Sequence, residues 1–224
     1  MTIGTQRPPP LSFLPSLLLA LAATLLAPPA AAQERDGRLT LGGRLDVLAA
    51  DGEPANDIPT AGVYLRYRLA DRWSVGVAVD HSPKFDVERP YEFLGLQGAE
   101  EVDADGVMTS VTSWIERDHP RPAGRLSWFW TVGAGFATVD VDDVAGRLAG
   151  GGRYDITEDV GTELLAGGSV GLRWRFGEAW EIEGALRADR HFTDWTVTDR
   201  VSGRTTELDD YLVHGVNLGL AYRF

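Results

Sequence analysis

The sequence has no cysteine, a single lysine, and no long apolar run after its N-terminal segment. Without cysteine there is no disulfide scaffold, no thiolate zinc site and no cysteine nucleophile. The 21 Lys and Arg residues are outnumbered by 33 Asp and Glu, for a net charge of −12. This charge argues against a nucleic-acid partner, which requires a basic face. A length of 224 residues suits a single folded domain.

The N-terminal segment reads as an export signal. Arg7 precedes an apolar run from Leu11 to Ala27, and small residues follow it up to Ala32. This order is typical of a secretory signal peptide cleaved after Ala32. Pro15 interrupts the run and leaves the remainder too short for a good membrane anchor. We predict a signal peptide over residues 1–32, a short tail over 33–37 and a folded domain over 38–224.

The rest of the chain alternates with period two, and no segment sustains a helical period. From Trp73 to Asp80, for example, Trp and Val alternate with small or polar residues. Segments of about ten residues suit tilted strands that cross a bilayer. The predicted strands cover residues 38–47, 61–69, 73–80, 107–117, 128–138, 166–176, 180–188 and 216–224.

For the predicted strand at residues 107–117, the sequence does not decide which side chains face inwards and which face outwards. One face would carry Met108 and Trp114, the other Val107 and Ile115. We include it because an even number of strands returns both chain ends to one side. The prediction is an all-β fold, an eight-stranded antiparallel up-and-down barrel.

Alternation alone would also suit a soluble lipocalin-like barrel, so the face that carries the charges decides the class. Short turns at residues 70–72 and 177–179 alternate with long, polar, acidic connections around 81–106, 140–159 and 193–210. This inequality is typical of membrane barrels. Three strand endings, at Leu69, Phe176 and Phe224, also repeat one pattern of aromatic and apolar residues on one face. We therefore predict apolar groups outside and charges inside.

Aromatic residues on the apolar face gather beside the short turns and at the chain end, as expected of rings at a membrane–water boundary. The predicted aromatic girdle comprises Tyr67, Trp73, Trp128, Trp174, Phe176, Trp180, Tyr222 and Phe224.

The opposite face supplies charges of both signs, which can pair inside a barrel filled by side chains. If the turn at 177–179 sets Phe176 opposite Trp180, then Arg175 faces Glu181 and Arg173 faces Glu183. The predicted interior charge network comprises Arg38, Arg44, Asp46, Arg66, Arg68, Asp80, Arg173, Arg175, Glu181, Glu183, Arg187, Asp189 and Arg223.

The C-terminal run has apolar residues at every second position and ends in phenylalanine, at Val216, Leu218, Leu220, Tyr222 and Phe224. It resembles the C-terminal signature of bacterial outer-membrane β-barrels, which implies recognition by the barrel-assembly machinery. Residues 38–224 resemble the small eight-stranded barrels of the outer membrane protein A membrane domain and the opacity-type porin family. The resemblance implies a Gram-negative outer membrane, lipid and lipopolysaccharide as surroundings, short periplasmic turns and long extracellular loops.

Several functions remain open on this basis. A structural or surface-interaction role would place a ligand on the long extracellular loops, above all the one at 81–106. A narrow channel for ions or small solutes would use the interior charges for selectivity. A lipid A-modifying enzyme would need a nucleophile beside His191, where the sequence offers only Thr193. The alternative for His191 is a strand-end histidine at the membrane interface. We predict the surface role, with no enzymatic activity, catalytic residue, metal, cofactor or nucleic-acid partner.

Overall fold

The computed structural model describes residues 38–51, 58–89, 94–96, 102–120, 124–148 and 150–224. The predicted signal peptide and tail, residues 1–37, lie outside the described residues. The described part of the chain holds no helix long and apolar enough to cross a membrane. Its strands are β1 (Leu39–Asp51), β2 (Ile58–Ala70), β3 (Trp73–Arg89), β4 (Val102–Pro120), β5 (Leu126–Val141), β6 (Val144–Arg147), β7 (Arg153–Asp159), β8 (Thr162–Phe176), β9 (Trp180–Phe192), β10 (Thr196–Asp199), β11 (Arg204–Glu207) and β12 (Tyr211–Arg223).

Eight of the strands in the described residues form a closed antiparallel barrel in the order β1-β12-β9-β8-β5-β4-β3-β2. The last strand closes the cylinder, because β12 pairs with β1 on one side and with β9 on the other. Closure leaves no unpaired edge among these strands. The predicted eight-stranded barrel is thereby confirmed.

The two ends of the barrel differ. Turns at residues 71–72 and 177–179 join strands at one end, which we call the short-turn end. At the other end the strands run further than predicted: β3 and β4 stay paired as far as Arg89 and Val102. The prediction of one long loop over 81–106 is therefore wrong in extent, because most of that segment is strand. Phe85 and Val87 explain the extension, since both point inwards and are buried.

A second sheet of four strands, in the order β11-β10-β7-β6, is built from the two connections predicted as polar loops. We call it the loop sheet. In the β6–β7 hairpin, Gly151 N–H donates to Leu148 O at 2.9 Å, and Gly151 adopts a φ of +86° that glycine tolerates. The prediction that residues 140–159 and 193–210 are loops is thus wrong for β6, β7, β10 and β11.

The barrel strands place apolar side chains outside and charges inside. Leu45, Leu164 and Leu218 are more than 60% exposed, whereas Arg173 and Glu181 are 1% exposed. The prediction that apolar side chains face outwards and charged side chains face inwards, the reverse of a soluble protein, is confirmed. The fourth predicted strand also gains a phase: Met108, Ser110 and Thr112 point inwards and are buried, while Val107 and Ile115 point outwards.

An apolar core occupies the interior at the end opposite the short turns and continues under the loop sheet. The barrel contributes inward residues such as Leu48, Val139 and Val213, and the loop sheet contributes Ile156 and Val197. These side chains belong to one cluster of buried contacts. The barrel and the loop sheet therefore share a core, which accounts for the regular structure of connections rich in acidic residues.

Candidate functional site

The interior near the short-turn end is organised by two buried arginines, Arg66 on β2 and Arg173 on β8. Arg66 donates to Glu183 Oε1 at 2.7 Å and also contacts Glu181. Arg173 donates to Glu183 Oε1 at 3.1 Å and to Glu116 Oε2 at 2.8 Å. Since each arginine meets several carboxylates, the desolvation of these charges is offset by several pairings at once. We call these five residues the lower charge cluster.

The short turn between β8 and β9 sets this arrangement. Its register pairs Arg173 with Glu183 and Arg175 with Glu181, as expected from the sequence. Arg175 Nε donates to Glu181 at 3.1 Å, and its terminal nitrogen donates to Asp118 at 2.7 Å. The β8–β9 hairpin thus aligns four of the charges across two neighbouring strands.

Glu116 and Asp118 are members of the interior that sequence reasoning missed. Both lie on β4 and point inwards, each at most 9% exposed. The strand was predicted without a phase and only as far as Arg117, so neither carboxylate was assigned. The available signal was charge balance, because the predicted network paired an excess of arginines with too few acids.

A second group of charges lies further along the interior, which we call the upper charge cluster. Arg44 Nε donates to Asp80 Oδ1 at 2.7 Å, and Arg187 approaches the other oxygen of Asp80 at 3.4 Å. Arg187 also pairs with Asp189, its neighbour on the inner face of β9. Asp46 accepts a hydrogen bond from Thr60 at 2.9 Å and lies 3.8 Å from Arg44.

Three predicted members of the interior network lie at the short-turn rim. Arg38 is exposed, and Arg68 and Arg223 are half-buried. Arg223 donates to the carbonyl of Glu178 in the turn at 2.7 Å. Arg38 and Arg68 line a cavity of about 10 Å³ together with Arg66 and Arg173, so they face the interior. All three arginines are less buried than the rest of the predicted network, because their positions fall at the strand ends, where water reaches the guanidinium groups.

The aromatic residues beside the short turns lie on the outer surface. Ring contacts link Trp174 to Phe176, Phe176 to Trp180 and Trp180 to Tyr222, with centroids 5.6, 6.5 and 5.1 Å apart. Tyr67, Trp73 and Trp128 are also exposed, and Phe224 packs on Tyr222 at 5.0 Å. Sequence reasoning did not include Trp130, whose ring lies 5.7 Å from that of Trp73.

His191 lies inside the barrel and is 3% exposed, so the expectation of an interface histidine is wrong. Its Nδ1 lies 2.8 Å from Glu163, which also accepts a hydrogen bond from Tyr211 at 2.7 Å. The Tyr211 ring stacks on the imidazole at 4.8 Å. The inward phase of β9 continues past the membrane band, and this places His191 in the apolar core with a carboxylate partner.

The interior cavities are small. A cavity of about 70 Å³ lies between the two charge clusters and is lined by Arg44, Tyr64, Trp114 and Arg187 among others. This volume has room for a few water molecules. Two further cavities have about 10 Å³ each. The described residues hold no group of three or more His, Asp or Glu arranged to bind a metal ion.

In the loop sheet, Asp199 anchors the turn between β10 and β11. Burial raises the pKa of its carboxyl, but hydrogen bonds outweigh burial and lower this pKa below its ordinary value. The donors are the backbone N–H groups of Asp155, Val201 and Ser202, at 3.0 to 3.2 Å. Asp199 is therefore held as a carboxylate that ties β7 to the β10–β11 turn.

Solved structures share this fold at low sequence identity. OprG of Pseudomonas aeruginosa is 14% identical, with a TM-score of 0.57 over 83% of this chain and 94% of its own. Neisserial surface protein A (NspA) is 9% identical, with a TM-score of 0.51 over 86% of this chain and 100% of its own. No curated protein sequence matches.

The family match extends over nearly the whole chain. Residues 17–224 match the family described as outer membrane protein beta-barrel domain. The outer-membrane location of this family agrees with three features of the structure: the apolar exterior, the ring of aromatic residues beside the short turns, and the closed interior filled with charged side chains. The chain belongs to the outer membrane protein beta-barrel family and is an integral protein of the bacterial outer membrane.

Proposed function

We propose that the protein is a surface-interaction protein, in which the membrane barrel holds the loop sheet rigidly outside the cell. The observation that carries this proposal is the core shared by the barrel and the loop sheet, to which Trp195, Ile156 and Val213 all belong. A binding surface fixed on a rigid scaffold loses less conformational entropy when it engages a partner. The long connections would face outwards, as is general for outer-membrane barrels.

The end of the β6–β7 hairpin supplies a first contact for an anionic polymer. Arg147 lies opposite Arg153 in the register, and both side chains are exposed. Like charges directly across two strands are destabilising, so a bound anion would relieve the repulsion. Neither arginine pairs with a carboxylate of the described residues.

Binding of cells that display the protein to sulfated dextran beads tests this function. We expect retention on sulfated beads, little retention on uncharged dextran, and loss in the R147Q/R153Q double variant. The matched control is R72Q/R125Q, which removes two exposed arginines at the short-turn end. Equal retention of the R147Q/R153Q variant, or no retention of the unaltered protein, would contradict the proposal.

We further infer that β12 is the strand read by the barrel-assembly machinery. Its outer face carries Val216, Leu218, Leu220 and Tyr222 in alternation, followed by Phe224. Deletion of Phe224 should lower the yield of heat-modifiable barrel in the outer membrane, whereas deletion of a residue from the β6–β7 turn should not. A normal folded yield without Phe224 would contradict this role.

A further inference from the structure

We propose that Arg117 and His119 form a site for the phosphate group of a membrane phospholipid, on the outer surface of the barrel at its periplasmic boundary. The site lies at the end opposite the loop sheet, so it is independent of the surface function proposed above. It is built by one strand, β4, against the aromatic residues of its two neighbours.

The phase of β4 places both side chains outside the barrel. Glu116 and Asp118 point inwards and are buried, so Arg117 and His119 point outwards, where both are half-buried. Ile115, the preceding outward residue, is 48% exposed and belongs to the apolar band. The two basic residues thus follow the last lipid-facing apolar residue of the strand, at the depth where headgroups begin.

Aromatic rings frame both basic groups. Arg117 lies opposite Trp73 on β3 and Trp130 on β5, with its guanidinium carbon 5.2 Å from the Trp73 ring centroid. His119 lies opposite Trp128, and their rings stack at 3.9 Å with an interplanar angle of 5°. The Trp73 ring holds the Arg117 guanidinium against the barrel wall, because a cation is attracted to an aromatic face, and ring stacking on Trp128 holds His119 there.

Within the described residues, Arg117 and His119 form no ion pair with a carboxylate. Arg117 Nε and His119 Nε2 are buried against the barrel and have no hydrogen-bond partner in the described part of the chain. Outward cations near the opposite rim differ in this respect. Lys84 lies 2.9 Å from Asp105 and Arg190 lies 3.5 Å from Asp210.

A lipid phosphate can supply the negative charge that Arg117 lacks, because the site lies at the depth of the lipid headgroups. Short turns of outer-membrane barrels face the periplasm, so Arg117 and His119 meet the headgroups of the periplasmic leaflet. Residues two apart on one face of a strand are separated by about 6.6 Å, so the two side chains lie next to each other on the outer face of β4. Guanidinium groups match the geometry of phosphate oxygens, and tryptophan rings suit the adjoining interface.

Native mass spectrometry of the full chain, extracted from membranes in detergent, tests the site. The protein is equilibrated with phosphatidylglycerol and, separately, with a diacyl galactolipid that has no phosphate. We expect stronger retention of phosphatidylglycerol, and about threefold to tenfold weaker retention in R117Q/H119Q. The R117K/H119Q variant should fall between them, because lysine keeps the charge but loses the planar fork.

A matched control keeps the result specific. R190Q/H214Q removes an outward arginine and an outward histidine from the opposite rim, and should retain phosphatidylglycerol like the unaltered protein. Heat-modifiable gel mobility establishes that each variant is folded. Unchanged retention by folded R117Q/H119Q, or equal retention of the galactolipid by the unaltered protein, would overturn the proposal.

Discussion

The barrel interior near the short turns and the interior near the loop sheet are filled by opposite chemistry. The first holds the lower charge cluster, with Arg173 and Glu181 buried among charged partners. The second holds apolar residues such as Val139 and Val213. The same strands run through both regions, and of the described strands only β3 changes its inward phase on the way, at a register shift between Ser82 and Phe85. The difference in chemistry therefore does not come from a change in the set of strands.

The outer surface explains this contrast. Along the same strands, it is apolar where the interior is charged and polar where the interior is apolar. On β5, the outward residues run from Trp128 through Val132 and Phe136 to Thr138 and Asp140. From Trp128 to Phe136 is about 27 Å along the strand, which at a tilt of about 40° spans about 20 Å of height and fits within a lipid-facing band about 25 Å tall. Where lipid covers the outside, polar groups face inwards. Where water covers the outside, the ordinary apolar core returns.

Loss of Arg173 should have the largest effect on this contrast. In R173M, Glu116 and Glu183 would keep only Arg66 as a buried arginine partner, and removal of one member of a buried ion-pair network costs about 3–5 kcal/mol. Denaturant unfolding from lipid vesicles should show this loss. The exposed Arg153 gives the matched control: R153M should change the free energy of unfolding by less than about 0.5 kcal/mol. Similar losses in both variants would contradict a buried network.

Truncation of Trp195 should destabilise the loop sheet while leaving the barrel folded. Its side chain is 1% exposed in the shared core, and replacing a buried tryptophan by alanine costs about 3–5 kcal/mol. In W195A we expect trypsin to cleave the loop sheet at Arg200 or Arg204 while the barrel keeps its heat-modifiable mobility. T198A, on the outer face of β10, the strand that follows Trp195, should resist cleavage like the unaltered protein. Resistance of W195A would show that the two sheets do not share a core.

A charged side chain on the outer surface should lower the free energy of unfolding only where that surface contacts lipid. Leu218 is 62% exposed on the outside of β12, and arginine there should cost about 2–4 kcal/mol in bilayer folding experiments. T205R, on the exposed part of the loop sheet, should cost less than about 0.5 kcal/mol. Equal costs would place Leu218 outside the membrane.

Acid should weaken the loop sheet before the barrel, with the smallest effect of the series. The folded-state pKa of Asp199 is lower than its ordinary value of 3.8, so its contribution to stability is complete above that value and is lost as the pH falls through the lower folded-state pKa. Pepsin cleavage of the loop sheet, normalised to an unfolded substrate, should accelerate below about pH 4. D199N should be less resistant at higher pH and lose this acid dependence. An unchanged acid response in D199N would exclude Asp199 as the responsible group.

Alternation, short turns and aromatic endings were enough to predict the barrel strands and the Arg173–Glu183 pair, because strand phase and hairpin register are set by residues close together in the sequence. The inward carboxylates of β4 could not be assigned, since Thr, Ser and Met occupy both faces of that strand ambiguously. The loop sheet was missed because its strands are short and acidic. The burial of Trp195 and Val197 could not be predicted from the loop sequence, because these residues pack against the apolar end of the barrel.

Oxygen and nickel-complex accessibility of spin labels tests the polarity inversion most directly, and a chain without cysteine allows single labelled sites. Labels at Leu218 and Val132 should be accessible to lipid-soluble oxygen, and a label at Asp140 should be accessible to the aqueous nickel complex. Labels at Asn217 and Val139 should be shielded from both. If the label at Asn217 instead meets oxygen while that at Leu218 is shielded, the charges face outwards and the inversion is wrong.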